Sequence, residues 1–215
     1  MLRTARLLVA VLLLIGGLVP AQAQNQPALG REFIELTPAR PVPAGQAIEV
    51  LEFFYYGCPI CYEAQPHVAR WLLKVGNDVQ LRRVPAISSE GWDSFARTYY
   101  TLEQMQLLQR LHWPVYDNHH FDGRKLNEEK NLLAWVGANG VDQKRFAEIW
   151  HSTETETRLK NGQKTMDAYG VRSVPTFIVD GRYQTSARMA GGTRQMMEVV
   201  DHLVARARRD RAQTK

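Results

Sequence analysis

An apolar stretch that ends at two closely spaced cysteines constrains this chain more than any other feature. Residues 48–55 form a continuous β-prone run, and Gly57 ends it just before Cys58 and Cys61, which are the only cysteines of the sequence. A strand this apolar is typical of the buried centre of a sheet. Pro59 suits the first position of a helix, because its φ is already helical and it lacks an N–H group that would have no partner there. We therefore predict a central strand, a turn and a helix that begins at the cysteine pair.

The position of Cys58 at a helix start predicts a reactive thiol. Unsatisfied backbone N–H groups and the positive end of the helix dipole lie near its sulfur, and both favour the thiolate. Cys61 follows one turn later, near enough for a disulfide that forms and opens with little backbone movement. A structural zinc site needs four ligands, and the six histidines show no spacing that would complete one. An inert structural disulfide is also disfavoured, because so short a loop gains little stability from closure.

The first residues have the pattern of a secretory signal peptide. Arg3 and Arg6 precede an apolar run at residues 7–19, and residues 21–23 supply small side chains for cleavage. The run is short for a membrane span, so we expect cleavage after Ala23. Export would place the two thiols in an oxidising compartment.

The net charge of +5 gives little support to nucleic-acid binding. The excess lies in the predicted signal peptide and in residues 206–215, while residues 24–205 carry a net charge of about −1. We expect residues 206–215 to form a basic, disordered tail.

Strand, helix and strand in that order predict a right-handed βαβ unit with parallel strands. The helix that begins at the cysteines continues to about residue 75, and a second strand follows at residues 79–84. The cysteines would then lie at the carboxyl end of the first strand, which is where the functional sites of open α/β sheets are usually found. One acidic residue, Glu52, interrupts the apolar run of that strand.

The rest of the chain predicts a group of helices and then a return to the sheet. Apolar and aromatic residues recur at helical spacing through residues 88–169, which predicts an inserted all-helical domain. A strand at residues 174–179 and a hairpin turn at Asp180-Gly181 follow. We therefore predict an α/β fold whose main domain is formed by residues 24–87 and 170–205.

These features together resemble the DsbA family of bacterial periplasmic thiol:disulfide oxidants, over nearly all of the mature chain. The resemblance rests on Cys-Pro-x-Cys at a helix start, Glu52 within Leu51-Glu52-Phe53-Phe54, Val174-Pro175 before a hairpin strand, and the export signal. It implies a thioredoxin fold with an inserted helical domain. It also implies a monomer that donates its Cys58–Cys61 disulfide to unfolded exported proteins, uses no metal or cofactor, and is re-oxidised by a membrane partner of the DsbB type.

The resemblance implies a role for each residue of the site. Cys58 would be the exposed nucleophile. Cys61 would be the more deeply buried thiol, which is released when the disulfide opens and can then attack the mixed disulfide on Cys58. Glu52 would be a carboxylate beneath the site that exchanges a proton with Cys61. Pro175 matches a cis proline, after which Val174 would turn its backbone toward the cysteines and pair with an extended substrate.

Two positions depart from the best-known members of the family. Ile60 follows Pro59 where those members carry a histidine that helps to stabilise the thiolate, so we expect a somewhat weaker oxidant. Arg83 replaces a lysine opposite the buried acid. Arginine does not give up its proton, so we expect charge compensation there without proton sharing.

Two other functions fit the same sequence. A reductase or isomerase would use the same cysteine pair, although isomerases of this fold usually bring a dimerisation domain and often have threonine where this chain has Val174. An exported chaperone-like module would instead bind extended apolar segments through its Met-rich and aromatic helices, with the disulfide incidental. The reduction potential distinguishes the first alternative, and a double cysteine variant distinguishes the second.

Overall fold

The computed structural model describes residues 26–43, 45, 47–87 and 91–213. The predicted signal peptide, residues 1–23, lies outside the described residues. Within the part of the chain that is described, no helix has both the length and the apolar character needed to cross a lipid bilayer.

Strands lie toward the two ends of the described chain, and helices fill its middle. In chain order the described elements are β1 (Ile34–Glu35), β2 (Ile48–Phe54), α1 (Pro59–Leu72), β3 (Val79–Pro85), α2 (Asp93–Gln104), α3 (Leu108–His120), α4 (Glu129–Ala138), α5 (Gln143–Trp150), α6 (Thr153–Ala168), β4 (Thr176–Val179), β5 (Tyr183–Ser186), α7 (Ala187–Ala190) and α8 (Thr193–Gln213). The helices α2 to α6 therefore separate β3 from β4.

The strands form one mixed sheet in the order β1-β5-β4-β2-β3. β2 pairs in parallel with β3 and antiparallel with β4, and all seven of its residues are buried. The predicted parallel βαβ unit is confirmed. The predicted hairpin is also confirmed, because β4 pairs antiparallel with β5 and both Asp180 and Gly181 have positive φ angles, 55° and 64°.

Side chains of β2 alternate between the two faces of the sheet. Val50 belongs to a cluster with Val68 of α1 and Val200 of α8. Leu51 belongs to a different cluster with Met166 of α6. Helices therefore cover both faces of the sheet, which explains why the sequence of β2 is almost continuously apolar.

The helices in the middle of the chain share a core with the cysteine end of the sheet. Tyr99 of α2 and Tyr116 of α3 lie in one buried cluster with Phe54, Tyr56 and Cys61. The rings of Phe54 and Tyr99 pack edge to face, with 5.2 Å between their centroids. These helices thus form part of the surroundings of the buried cysteine.

The prediction of a disordered basic tail at residues 206–215 is wrong for the residues that the structure describes. α8 continues to Gln213, and Ala207 lies on its buried face. The guanidinium of Arg208 donates two hydrogen bonds to the carboxylate of Asp78, at 2.7 and 2.8 Å. The sequence-based prediction failed because this carboxylate lies far away along the chain and only the fold brings it near.

Candidate active site

The two cysteines lie where the chain passes from β2 into α1. Cys58 is the N-cap residue of α1, with an extended backbone, and Pro59 follows it in the first turn. The Cys58 sulfur accepts a hydrogen bond from the backbone N–H of Cys61 at 3.3 Å. Both residues are free thiols, with Cys58 partly exposed and Cys61 buried. One sulfur is therefore open to a partner molecule and the other is enclosed.

Their surroundings separate the acidities of the two thiols. The hydrogen bond from the Cys61 thiol, helped by the backbone N–H groups of Cys61 and Ile60, lowers the pKa of Cys58 to about 6. Burial raises the pKa of Cys61 well above its usual value, and its neighbour Cys58 raises it further. The exposed thiol is thus the one that ionises readily, which is the property of a reactive cysteine.

The low pKa of Cys58 predicts a pH dependence of the reduced protein. Its pKa in the folded chain, about 6, lies below the ordinary value of 9.0, so the thiolate stabilises the fold fully above pH 9.0. That stabilisation is lost as the pH falls through about 6. We expect the ultraviolet absorbance of the thiolate to titrate with a midpoint of about 6 and to vanish in Cys58→Ser. A midpoint near 9.0, the ordinary value for a cysteine thiol, would contradict this geometry.

Glu52 lies beneath the cysteines as a fully buried carboxylate. Both of its oxygens accept hydrogen bonds, one from Arg83 Nε at 2.8 Å and one from Gln65 Nε2 at 3.0 Å. The same Gln65 nitrogen lies 3.4 Å from the carbonyl oxygen of Cys61. One amide therefore links the buried acid to the helical turn that holds the buried cysteine. Sequence reasoning missed Gln65, although its position four residues after Cys61 on the predicted helix could have indicated it.

The register of the sheet explains why Arg83 reaches the acid. β2 and β3 pair in parallel with Glu52 opposite Arg83. On the other face of the sheet, the guanidinium of Arg82 donates to the carboxylate of Glu49 at 2.7 and 3.3 Å. Two buried acids of the central strand are thus each held by an arginine of β3.

Gly57 makes room for an aromatic side chain in the turn before the cysteines. A Cβ atom at Gly57 would lie 2.5 Å from the ring of Tyr55. That ring stacks on Trp92 with 3.9 Å between centroids and 2° between planes. Sequence reasoning did not single out Tyr55. The absence of a side chain at Gly57 therefore leaves the space that the Tyr55 ring occupies in this turn.

The loop before β4 brings Val174 and Pro175 against the cysteines. The peptide bond between these two residues is cis. The Cys58 sulfur lies 3.7 Å from the carbonyl oxygen of Val174. The N–H of Val174 forms no backbone hydrogen bond with any described residue. A cavity of about 450 Å³, lined in part by Ile60 and Arg188, opens beside this loop. Free backbone next to an exposed sulfur can pair with an extended peptide.

The structure places all the predicted site residues around the end of β2 and the start of α1. The cysteines, Pro59 and Ile60 form the first turn of the helix, the Glu52–Arg83 pair lies beneath them, and the loop of Val174 faces Cys58. Among the described residues there is no group of three or more His, Cys, Asp and Glu side chains that could hold a metal ion. The Cys58–Cys61 pair itself offers two thiols of unequal acidity, one partly exposed and one buried.

Comparison with known proteins shows what the chain is similar to. Residues 72–204 match the family described as DSBA-like thioredoxin domain. The chain is 32% identical over 180 residues to the thiol:disulfide interchange protein DsbA of Azotobacter vinelandii, which covers 84% of each protein. The crystal structure of Pseudomonas aeruginosa DsbA matches with a TM-score of 0.79 and 31% identity, over 86% of this chain and 96% of that one. The oxidoreductase DsbA from Xylella fastidiosa matches with a TM-score of 0.78 and 27% identity, over 85% and 98%.

These matches confirm the resemblance inferred from the sequence and the α/β, thioredoxin-like fold. They also confirm the expected activity, a thiol:disulfide oxidoreductase that acts as a disulfide oxidant. The cysteines at the start of α1 supply the redox couple that this activity requires. The chain therefore belongs to the DsbA family of thiol:disulfide oxidoreductases.

Proposed function

We propose that the oxidised Cys58–Cys61 pair is donated in the periplasm to newly exported, unfolded proteins through a mixed disulfide on Cys58. The observation on which this rests is the contrast between the two thiols. Cys58 is partly exposed and its pKa is lowered to about 6, whereas Cys61 is buried and its pKa is raised well above the usual value. A bulky substrate can reach the exposed sulfur, and a thiol of low pKa is a good leaving group when the transfer ends.

The transfer takes two displacement steps. In the first, a substrate thiolate attacks the Cys58 sulfur, the bond to Cys61 breaks, and Cys61 leaves as a thiolate that takes up a proton. In the second, another substrate thiolate attacks the substrate sulfur of the mixed disulfide, and Cys58 leaves as a thiolate. Two electrons pass from the substrate to the cysteine pair. The substrate gains one disulfide, and the protein is left reduced.

We propose that the proton taken up by the Cys61 thiolate passes through Glu52. Two hydrogen bonds, from Gln65 at 3.0 Å and from Arg83 at 2.8 Å, hold its carboxylate beneath the helical turn of Cys61. Arg83 keeps its own proton, so its part is to compensate the buried negative charge. Gln65 contributes position, because it contacts both the acid and the Cys61 carbonyl.

We propose that the substrate chain binds along the loop that contains Val174. Its carbonyl lies next to the Cys58 sulfur, and its N–H is free of backbone partners among the described residues. An extended segment with a cysteine could add to this backbone as a strand while its sulfur meets Cys58. The membrane partner of the DsbB type that restores the disulfide must reach the same sulfur. We therefore propose that it docks on the same face, with the chain acting as a monomer.

A trapping experiment tests the assignment of the two cysteines. In Cys61→Ser the Cys58 thiolate should attack a one-cysteine substrate whose sulfur carries a 5-thio-2-nitrobenzoate group, so that thionitrobenzoate leaves and the disulfide between Cys58 and the substrate forms. This mixed disulfide should accumulate, because the thiol that would resolve it is absent. Peptide mapping by mass spectrometry should locate the adduct on Cys58. The matched variant Cys58→Ser should give no such adduct, because its remaining thiol is buried. Adducts that formed equally well on Cys61 would contradict the proposal.

Ile60 offers a test of what sets the strength of the oxidant. Its side chain is 45% exposed, so Ile60→His should cost little packing energy. A partly protonated imidazole beside the sulfur should lower the pKa of Cys58 and stabilise the reduced form. We expect the reduction potential to rise by at most about 30 mV for each pKa unit, and by less because the sulfur is partly exposed. Ile60→Gln is the neutral control. Equal potentials in the two variants would contradict the expected role of this position.

A further inference from the structure

The phenol of Tyr55 lies beside the reactive cysteine, and the disulfide transfer described above leaves it without a role. Tyr55 is the first residue after β2 and comes three positions before Cys58. Its hydroxyl oxygen lies 2.8 Å from the point that a Cβ atom of Gly57 would occupy. Since Gly57 directly precedes Cys58, the hydroxyl is at most about 8 Å from the Cα atom of Cys58. The polar end of this side chain therefore lies at the active-site turn.

Neighbouring rings fix the direction of the Tyr55 side chain. Its ring stacks on Trp92 with 3.9 Å between centroids and 2° between planes. The buried ring of Phe95 meets it edge to face, with 5.6 Å between centroids. The hydroxyl is thus held in place before a ligand arrives, which lowers the entropy cost of a contact with it.

The hydroxyl of Tyr55 is free to bind another molecule. It forms no hydrogen bond with any described residue, and it does not belong to the buried polar atoms that lack a partner. The unpartnered hydroxyl of Tyr116 is buried, in contrast, and that of Tyr62 donates to the Asp117 carboxylate at 2.9 Å. Tyr55 therefore offers an accessible polar group, fixed in position, next to Cys58.

This hydroxyl keeps its proton at physiological pH. Burial raises the pKa of Tyr55, and the negative charge of the Cys58 thiolate raises it further. A protonated phenol donates one hydrogen bond, so a ligand atom that receives it must be an acceptor. The influence of Cys58 on this pKa also agrees with the short distance between the two residues.

A substrate chain joined to Cys58 passes through the same small region. In a disulfide, the Cα atoms of the two cysteines lie roughly 4.4 to 6.8 Å apart. The backbone of the substrate cysteine therefore lies about as near to Cys58 as the Tyr55 hydroxyl does. Backbone carbonyl oxygens are the acceptors that every protein substrate carries beside its cysteine. A contact with them requires no particular sequence, which suits an oxidant of unfolded chains.

We propose that Tyr55 is a substrate-binding residue whose hydroxyl donates a hydrogen bond to a backbone carbonyl of the substrate in the mixed disulfide on Cys58. The contact is separate from the Val174 loop, because Tyr55 does not line the cavity beside that loop. The two contacts would hold the substrate backbone at two points while its sulfur exchanges. This inference rests on the disulfide transfer proposed above and adds to it a residue that recognises peptide backbone.

Tyr55→Phe tests the role of the hydroxyl, because phenylalanine keeps a ring on Trp92 and removes only the donor. The oxidised protein is reduced either by a capped peptide with two cysteines or by dithiothreitol, which contains no peptide group. Quenched samples, with the free thiols trapped and counted by mass, give a second-order rate constant for each reductant. The ratio of the peptide rate to the dithiothreitol rate should fall about fivefold, the loss expected for one hydrogen bond. An unchanged ratio would overturn the proposal.

The matched control is Tyr62→Phe, since the hydroxyl of Tyr62 is already bound to Asp117. Its ratio should equal that of wild type, and an equal loss in this variant would contradict the assignment to Tyr55. The reduction potential of Tyr55→Phe should also match that of wild type, because the proposed contact forms only with substrate. A changed potential would assign the hydroxyl to the chemistry of the thiols and would overturn the proposal.

The choice of peptide tests the assignment to backbone. Peptides with alanine or with serine beside the cysteines should show the same loss in Tyr55→Phe, because a backbone contact does not depend on side chains. A loss with only one of the peptides would overturn that assignment.

The trapping experiment on Cys61→Ser tests the underlying disulfide transfer separately. An adduct on Cys58 together with an unchanged rate ratio in Tyr55→Phe would refute the role of Tyr55 alone. No adduct on Cys58 would refute the transfer on which that role rests.

Discussion

Replacing Cys58 with serine should lower the rate of disulfide transfer by roughly a thousandfold or more. The reason is that Cys58 is the partly exposed thiol of low pKa, whereas Cys61 is buried and cannot be reached by a large substrate. The measurement is the oxidation of a reduced, unfolded protein with two cysteines, followed by the loss of its free thiols. Oxidised wild-type protein and buffer alone set the two limits of the assay.

The structural control for Cys58→Ser is its circular dichroism and its thermal unfolding. The serine is close in size to the cysteine that it replaces at a partly exposed N-cap, and serine is a favourable residue there. The variant should therefore remain folded, so that a lost activity reports chemistry. Transfer at the wild-type rate by a folded Cys58→Ser protein would contradict the assignment of this residue as the one attacked by substrate.

Replacing Glu52 with leucine should destabilise the reduced protein by about 3 kcal/mol. The carboxylate is fully buried, and its loss leaves the guanidinium of Arg83 without the partner that now lies 2.8 Å away. The expected value is at the lower end of the range for broken buried pairs, because Arg83 is 22% exposed and keeps some contact with water. Urea unfolding at neutral pH measures the effect.

A double variant separates the buried charge from the lost packing. Glu52→Leu with Arg83→Met removes both charges and should recover most of the lost stability, because no unpaired charge remains. The exposed pair of Arg194 and Glu198, at 3.0 Å, provides the control, and Glu198→Gln should change stability by less than about 0.5 kcal/mol. A single Glu52→Leu variant as stable as the double variant would contradict the account of this pair.

Local sequence patterns predicted the parts of the site that depend on neighbouring residues. The spacing of Cys58, Pro59 and Cys61 after an apolar run placed a helix start at the end of a buried strand, and the structure has α1 beginning at Pro59. The hairpin at Asp180-Gly181 also followed from a short local signal, because both residues adopt positive φ. Such features need no knowledge of distant contacts.

The features that the sequence did not predict depend on contacts between distant residues. The bond between Tyr56 and His112 joins positions far apart in the chain, and nothing near His112 in the sequence indicates it. The same is true of the pair between Arg208 and Asp78, which turns a charged end into an ordered helix. Packing of the α6 residue Met166 on the sheet could not be inferred either, because helical spacing shows which face is apolar and not what it meets.

The reduction potential of the Cys58–Cys61 pair is the most direct test of the central claim, that this protein gives its disulfide away. It is measured by equilibration in glutathione redox buffers, with the thiols trapped and counted by mass. The lowered pKa of Cys58 favours the reduced form, so we expect a potential above the roughly −220 to −260 mV of the glutathione pool. A potential at or below the value of about −270 mV for thioredoxin would contradict the claim and would make the protein a reductase.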